Sequence, residues 1–168
     1  MVKYIFPTLK KTSKLLPLTF VSMGLCAVMG LPTLAADEVY HGDFCTFQGA
    51  NLNQIDHSPQ YGIGNGASTR LTVVCPIIHP IIASVKEVDV FVYNRNPSAS
   101  ISCTLYGLDL DGTKIWTATG SNSLLGKQFI SIHPPQNQGV NSMSLLCSLP
   151  GLSNNGASYL TTYRVITP

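Results

Sequence analysis

Charge is scarce in this chain and unevenly placed. Ten basic and eight acidic residues occur among 168, and four of the basic ones (Lys3, Lys10, Lys11, Lys14) fall in the first fourteen positions. From Asp37 onward six basic residues face eight acidic ones, a net charge of −2. No basic surplus remains there to neutralise phosphates, so nucleic acid is not an expected partner. So few charges also argue against a disordered tail. No window past the leader carries an apolar i, i+3, i+4, i+7 stripe free of Gly, Pro or Asn, so no helix is expected. C-x-x-C and H-x-x-x-H spacings are absent, and the histidines (His41, His57, His79, His133) are scattered. Neither a metal site nor a cofactor is expected. G-x-S-x-G is missing, which removes the usual serine nucleophile turn. No Asn-x-Ser/Thr sequon with a permitted middle residue occurs.

What is present begins with an export signal. "MVKYIFPTLKKTSK" is basic, "LLPLTFVSMGLCAVMGLPTL" is apolar, and "TLAAD" supplies small residues for cleavage. Residues 1–35 therefore read as a secretory signal peptide cut after Ala35. Pro17, Gly24, Gly30 and Pro32 interrupt the apolar run, which argues against a retained membrane span. Residues 36–168 are then one domain in a secreted or periplasmic protein. They hold four cysteines, and an even count in an exported chain implies two disulfides. Of three pairings possible on paper, Cys45–Cys75 and Cys103–Cys147 are expected, splitting the chain into an early and a late half. Each closure should contribute roughly 3 kcal/mol.

Short β-type runs punctuated by Gly, Pro, Asn and Ser recur along this part. In "VKEVDVFVYN" Val88, Val90 and Val92 take one face and Asp89, Phe91 and Tyr93 the other. "LDLDGTKIW" holds an Asp111-Gly112 hairpin signal. A two-residue turn there sets Gly107 opposite Trp116 and Asp109 opposite Lys114, with Cys103, Leu105, Trp116 and Ala118 on the core face. The Cys…Trp…Cys order resembles an immunoglobulin domain. The hairpin, however, keeps the Cys and Trp strands in one sheet, and position 145 is Leu where the corner Tyr would stand. The expected fold is all-β, an antiparallel β-sandwich of jelly-roll or generic type stapled by two disulfides.

Chemistry-bearing residues are few. Glu87 and Asp89 share a strand face about 7 Å apart, a spacing open to carboxylate catalysis, although acids alternating with valines usually form a solvated face. Asp109 and Asp111 look like part of a calcium loop, but Lys114 follows where further oxygen donors are needed, so turn chemistry is expected. His79 and His133 each precede Pro and should end strands. Among aromatics, Phe91, Tyr93 and Tyr106 could meet on an outer sheet surface and stack on the rings of a neutral glycan. Tyr159 and Tyr163 should share a face of the last strand. "NGAS" occurs twice, at residues 65–68 and 155–158, and reads as one turn used twice before strands.

The order "FC…YGIGNGAS…VVCP…VDVFV…CTLYG…LLCSLPG…YRV", from Cys45 to Val165, resembles a group of small exported bacterial proteins with no activity attached to them. The resemblance implies an exported β-sandwich and nothing catalytic. Taken together, the residues point to a binding protein rather than an enzyme, with cell-surface polysaccharide or an envelope protein as partner. A secreted hydrolase and an adhesin-like structural subunit are the alternatives.

Overall fold

A computed structural model describes residues 37–78, 85–136 and 139–168. The expected signal peptide and His79 lie outside the described residues. Eleven strands form: Glu38–His41 (β1), Thr46–Phe47 (β2), Ile55–Ser58 (β3), Gly62–Asn65 (β4), Leu71–Ile77 (β5), Glu87–Asn94 (β6), Ile101–Leu108 (β7), Lys114–Asn122 (β8), Gly126–Ile132 (β9), Ser142–Leu149 (β10) and Ser158–Ile166 (β11). The only helical pieces among the described residues are two single 3-10 turns, Gly42–Phe44 and Leu52–Gln54. The strands make two antiparallel sheets. Sheet A runs β3-β4-β11-β6-β9, with β1 beside the C-terminal half of β11, and sheet B runs β2-β5-β10-β7-β8.

The alternation that marks each strand aims its apolar side at the space between the sheets. Val88, Val90 and Val92 are at most 2 % exposed. Across the register, Tyr163, Val90 and Ile130 form one inward row of sheet A, and Val165, Val88 and Ile132 another. Sheet B answers with the rows Cys75–Leu145–Leu105–Ala118 and Val73–Cys147–Cys103–Gly120. The buried Tyr163 hydroxyl donates to the Pro76 carbonyl of sheet B at 2.6 Å, so its one polar atom is satisfied across the core. Burial pushes its pKa well above the usual tyrosine value.

Both expected disulfides form. Each joins opposed residues on neighbouring strands of sheet B: Cys103 faces Cys147 in the β7–β10 register, and Cys45 continues the β2–β5 register opposite Cys75. The bridges thus cross-link one sheet, and apolar packing with a few hydrogen bonds such as Tyr163 to Pro76 joins the two sheets. An immunoglobulin bridge spans the two sheets instead.

The β7–β8 hairpin keeps Gly107 opposite Trp116, as the sequence predicts, but by another route. Gly112 sits at φ 80° and its N–H donates to Asp109 O at 3.0 Å. This turn is one residue longer than expected, and a bulge at Ile115 restores the register. Lys114 therefore faces Leu108 rather than Asp109. The Asp109 carboxylate accepts instead from Asn141 Nδ2 and the Leu110 N–H, both at 2.7 Å. A Cβ on Gly107 would lie 2.3 Å from the Trp116 ring, so only glycine admits the indole there.

The two NGAS phrases are different devices set side by side, with Asn65 paired to Ser158. Asn65 is fully buried. Its amide donates to Thr69 O (2.8 Å), Leu149 O (3.0 Å) and Pro150 O (3.1 Å) and accepts from the Ala67 N–H at 2.9 Å, tying sheet A to the end of β10. Gly66 is not among the positive-φ glycines, whereas Gly156 is, at φ 102°, in a tight turn closed by Gly156 N–H to Ser153 O. The expectation of one turn used twice is therefore corrected: only the second copy has the positive-φ glycine turn.

Candidate functional site

Outward positions of sheet A form three cross-strand rows. The first is Arg164–Asp89–Ser131, the second Thr162–Phe91–Phe129, and the third Gly64–Tyr159–Tyr93–Lys127. The rows therefore change along the strands from an ion pair, through phenylalanines, to tyrosines and a cation. Phe91 and Phe129 lie with ring centroids 6.5 Å apart and are 37 % and 60 % exposed, unusually open for a paired aromatic couple.

Tyr61, in the β3–β4 turn, leans over the third row. Its ring lies 5.1 Å from Tyr93 and 5.5 Å from Tyr159. A Cβ on Gly64 would meet the Tyr159 ring at 2.5 Å, so glycine allows Tyr159 to lie flat on the sheet. Tyr159 donates its hydroxyl to Asp56. Burial, helped by that carboxylate, pushes the Tyr159 pKa up to about 12, so the hydroxyl remains a donor at neutral pH. Arg95, one residue beyond β6, stacks over Tyr93 at 4.6 Å and lies 5.5 Å from the Tyr61 centroid; Lys127 Nζ lies 5.8 Å from that same centroid.

Between Tyr61 and the phenylalanine pair runs a trough of about 510 Å³, lined among others by Gln60, Tyr61, Phe91, Lys127, Phe129 and Thr162. A second hollow of about 420 Å³ is lined by Tyr93, Arg95, Gly126 and Asn155. From Phe91 to Arg95 the face extends roughly 13 Å at the strand rise per residue. The surface offers flat apolar rings, amide and hydroxyl groups, and two cations.

Phe91 and Tyr93 share the outer face of sheet A, and Tyr106 does not join them there. Tyr106 is in β7 of sheet B, between Ser144 and Thr117, and faces out on the far side of the sandwich. Tyr61, Phe129, Lys127 and Arg95 take its place. Tyr159 and Tyr163 also do not share a face. The register of β11 shifts between Leu160 and Thr162, which turns Tyr159 outward and Tyr163 into the core.

The carboxylate pair has its partners elsewhere. Ser131 Oγ donates to both Glu87 and Asp89, and Arg164 Nη2 donates to Asp89 Oδ2 at 2.6 Å. Burial would raise the Asp89 pKa, but the Ser131 and Arg164 hydrogen bonds and the arginine charge outweigh it, leaving the carboxyl below the usual range. A general acid for glycoside cleavage needs the opposite shift. Asp43 sits between His41 (3.2 Å) and His57 (3.4 Å) on the surface. Among the described residues no group of three or more His, Cys, Asp or Glu could hold a metal ion. Asp111 accepts from the Thr113 N–H at 2.8 Å, the turn role the sequence predicts. Among the described residues no helix is long and apolar enough to cross a membrane.

No protein-family model matches the chain, and no curated protein matches it. Solved structures do. A xylan-binding module, CBM15, superposes with a TM-score of 0.50 at 10 % identity, over 79 % of this chain and 97 % of that one. A family 6 carbohydrate-binding module gives 0.47 at 14 % identity, over 78 % and 94 %. At such identities the likeness to the first is one of fold: this chain is a β-sandwich of the architecture used by that xylan-binding module.

Proposed function

We propose that the protein binds polysaccharide without cleaving it, through the outer face of sheet A. The observation that carries this is the trough of about 510 Å³ between Tyr61 and the exposed Phe91–Phe129 pair. Sugar rings present flat C–H faces and a rim of hydroxyls. A trough of open aromatics edged by Gln60, Gln128 and Thr162 matches both features. Sharing a fold with a xylan-binding module makes glycan the first ligand class to test. The protein acts outside the cytoplasm, where both disulfides persist, after loss of residues 1–35.

The test is retention of the disulfide-bonded protein, from Ala36 on, by cell-wall, capsule and host-glycan preparations. Retention on a polysaccharide is expected. Phe129→Ala should weaken it by about 2 kcal/mol, roughly thirty-fold, with an unchanged melting temperature because Phe129 is 60 % exposed. Retention untouched by Phe129→Ala and Phe91→Ala, or retention by an envelope protein alone, overturns the reading.

A further inference from the structure

The cations on this face are the feature a neutral glycan leaves unused. Asp56 on β3 accepts from Tyr159, and Asp89 in the first row is paired with Arg164. Among the described residues neither Arg95 nor Lys127 has a carboxylate within salt-bridge distance. Among the described residues no acceptor takes a side-chain N–H of Arg95 either; its hydrogen bonds there are through the backbone. Stacking on tyrosine faces attracts the charge but supplies no acceptor for the five guanidinium donors.

Arg95 is nevertheless held in place. Its N–H donates to Ser158 Oγ at 3.0 Å, and its carbonyl accepts from Ser153 Oγ at 2.8 Å. Its Nη1 lies 2.9 Å from where a Cβ on Gly156 would be, so the Asn155-Gly156 turn forms one wall of its seat. The domain carries a net charge of −2, yet this face sets two cations beside one tyrosine ring, 5.5 and 5.8 Å from its centroid. A positive local field in an otherwise acidic domain selects for negative charge on the ligand.

We propose that the ligand is an acidic glycan, a polysaccharide whose sugars carry carboxylate or sulfate, with rings on Phe91 and Phe129 and the anionic group at Arg95 and Lys127. This rests on the glycan reading above and narrows it. A carboxylate would suit the planar fork of Arg95, and Lys127 adds a point charge at the rim.

The experiment titrates the disulfide-bonded protein with polygalacturonate, dextran sulfate and uncharged galactan, at low salt and at about 0.3 M salt. At least one acidic polymer should bind about tenfold or more tighter than galactan, with an advantage that shrinks as salt rises. The stronger of the two identifies carboxylate or sulfate as the anionic group. Arg95→Gln with Lys127→Gln should remove the preference. Gly156→Ala, which crowds the Arg95 seat, should reduce it, and Lys114→Gln on the distant β7–β8 hairpin should leave it intact. Lys127→Gln alone keeps the test sound if changes at Arg95 harm folding, because Lys127 is exposed. Equal binding of galactan and the acidic polymers overturns this inference and leaves the glycan reading standing. Binding to no glycan sinks both. A preference that survives the double substitution also overturns it.

Discussion

The two outer faces of the sandwich differ far more than its two inner ones. Sheet B turns mostly small residues outward: Thr72, Ser148, Ser102 and Ser121 in one row, and in the next Val74 and Leu146 beside Thr104, which is bonded to Thr119 at 3.0 Å. Tyr106 is its one large aromatic in the registered rows. Sheet A turns outward Phe91, Phe129, Tyr93 and Tyr159, overhung by Tyr61 and flanked by Arg95 and Lys127. Both disulfides lie in sheet B. Cross-links and a surface with one large aromatic in its registered rows thus go together on one sheet. Exposed rings and cations with no acidic partner among the described residues go together on the other. Sheet B is the cross-linked sheet, and the recognition surface we propose lies on sheet A.

This division can be broken most severely through the cross-linked sheet. Replacing Cys103 and Cys147 together by Ala opens a closure spanning 44 residues and should cost about 3 kcal/mol, a fall in melting temperature of roughly 10 °C. Thermal scans with and without reductant read this directly. Glycan affinity measured well below the transition should stay within a few-fold. A large loss of affinity in the still-folded variant would show that the two sheets are not separable in this way.

A smaller effect is expected at the polar end of sheet A. The folded Asp89 pKa lies below its unfolded value, so its contribution to stability is present above that unfolded value, about 3.9. The contribution is lost as pH falls through the lowered folded value. Asp89→Asn should flatten the acid limb of stability against pH below about pH 4, while glycan binding near neutral pH stays within a few-fold. An acid limb of unchanged slope would mean that Arg164 does not hold this carboxylate in solution.

The smallest effect should come from Tyr106→Ala. The side chain faces solvent on sheet B among Ser and Thr, so stability should move by no more than about 0.5 kcal/mol. Glycan retention should not change. A clear drop in retention would place binding on the wrong sheet and overturn the contrast.

How much of this was legible depends on the range of the interaction. The valine face of β6 and the Cys103–Leu105–Trp116–Ala118 core face follow from alternation and local pairing, whereas both disulfide partners were expected from an even cysteine count and a split into an early and a late half. The alternation in "KQFISIH" also turns Lys127 and Phe129 one way and Ile130 and Ile132 the other. Nothing in that segment says that β9 lies beside β6, so the Phe91–Phe129 pair was out of reach. Tyr61 and Arg95 lie outside the strands, where period-2 reasoning has no hold. Tyr106 was misplaced because its outward direction was readable but its sheet was not. Bulges defeated two further expectations: at Ile115 the Asp109–Lys114 pair, and in β11 the shared face of Tyr159 and Tyr163.

The sequence by itself determined the inward faces of the regular strands and the cysteines that staple them, because side chains alternate with period two and an apolar face must be buried. Tertiary structure alone decided which outward faces lie together. Sheet order joins residues from β6, β9 and β11 and from the turns beside them, through contacts whose closure is indifferent to their distance along the chain. The aromatic trough and the two cations on its face exist only once that order is set.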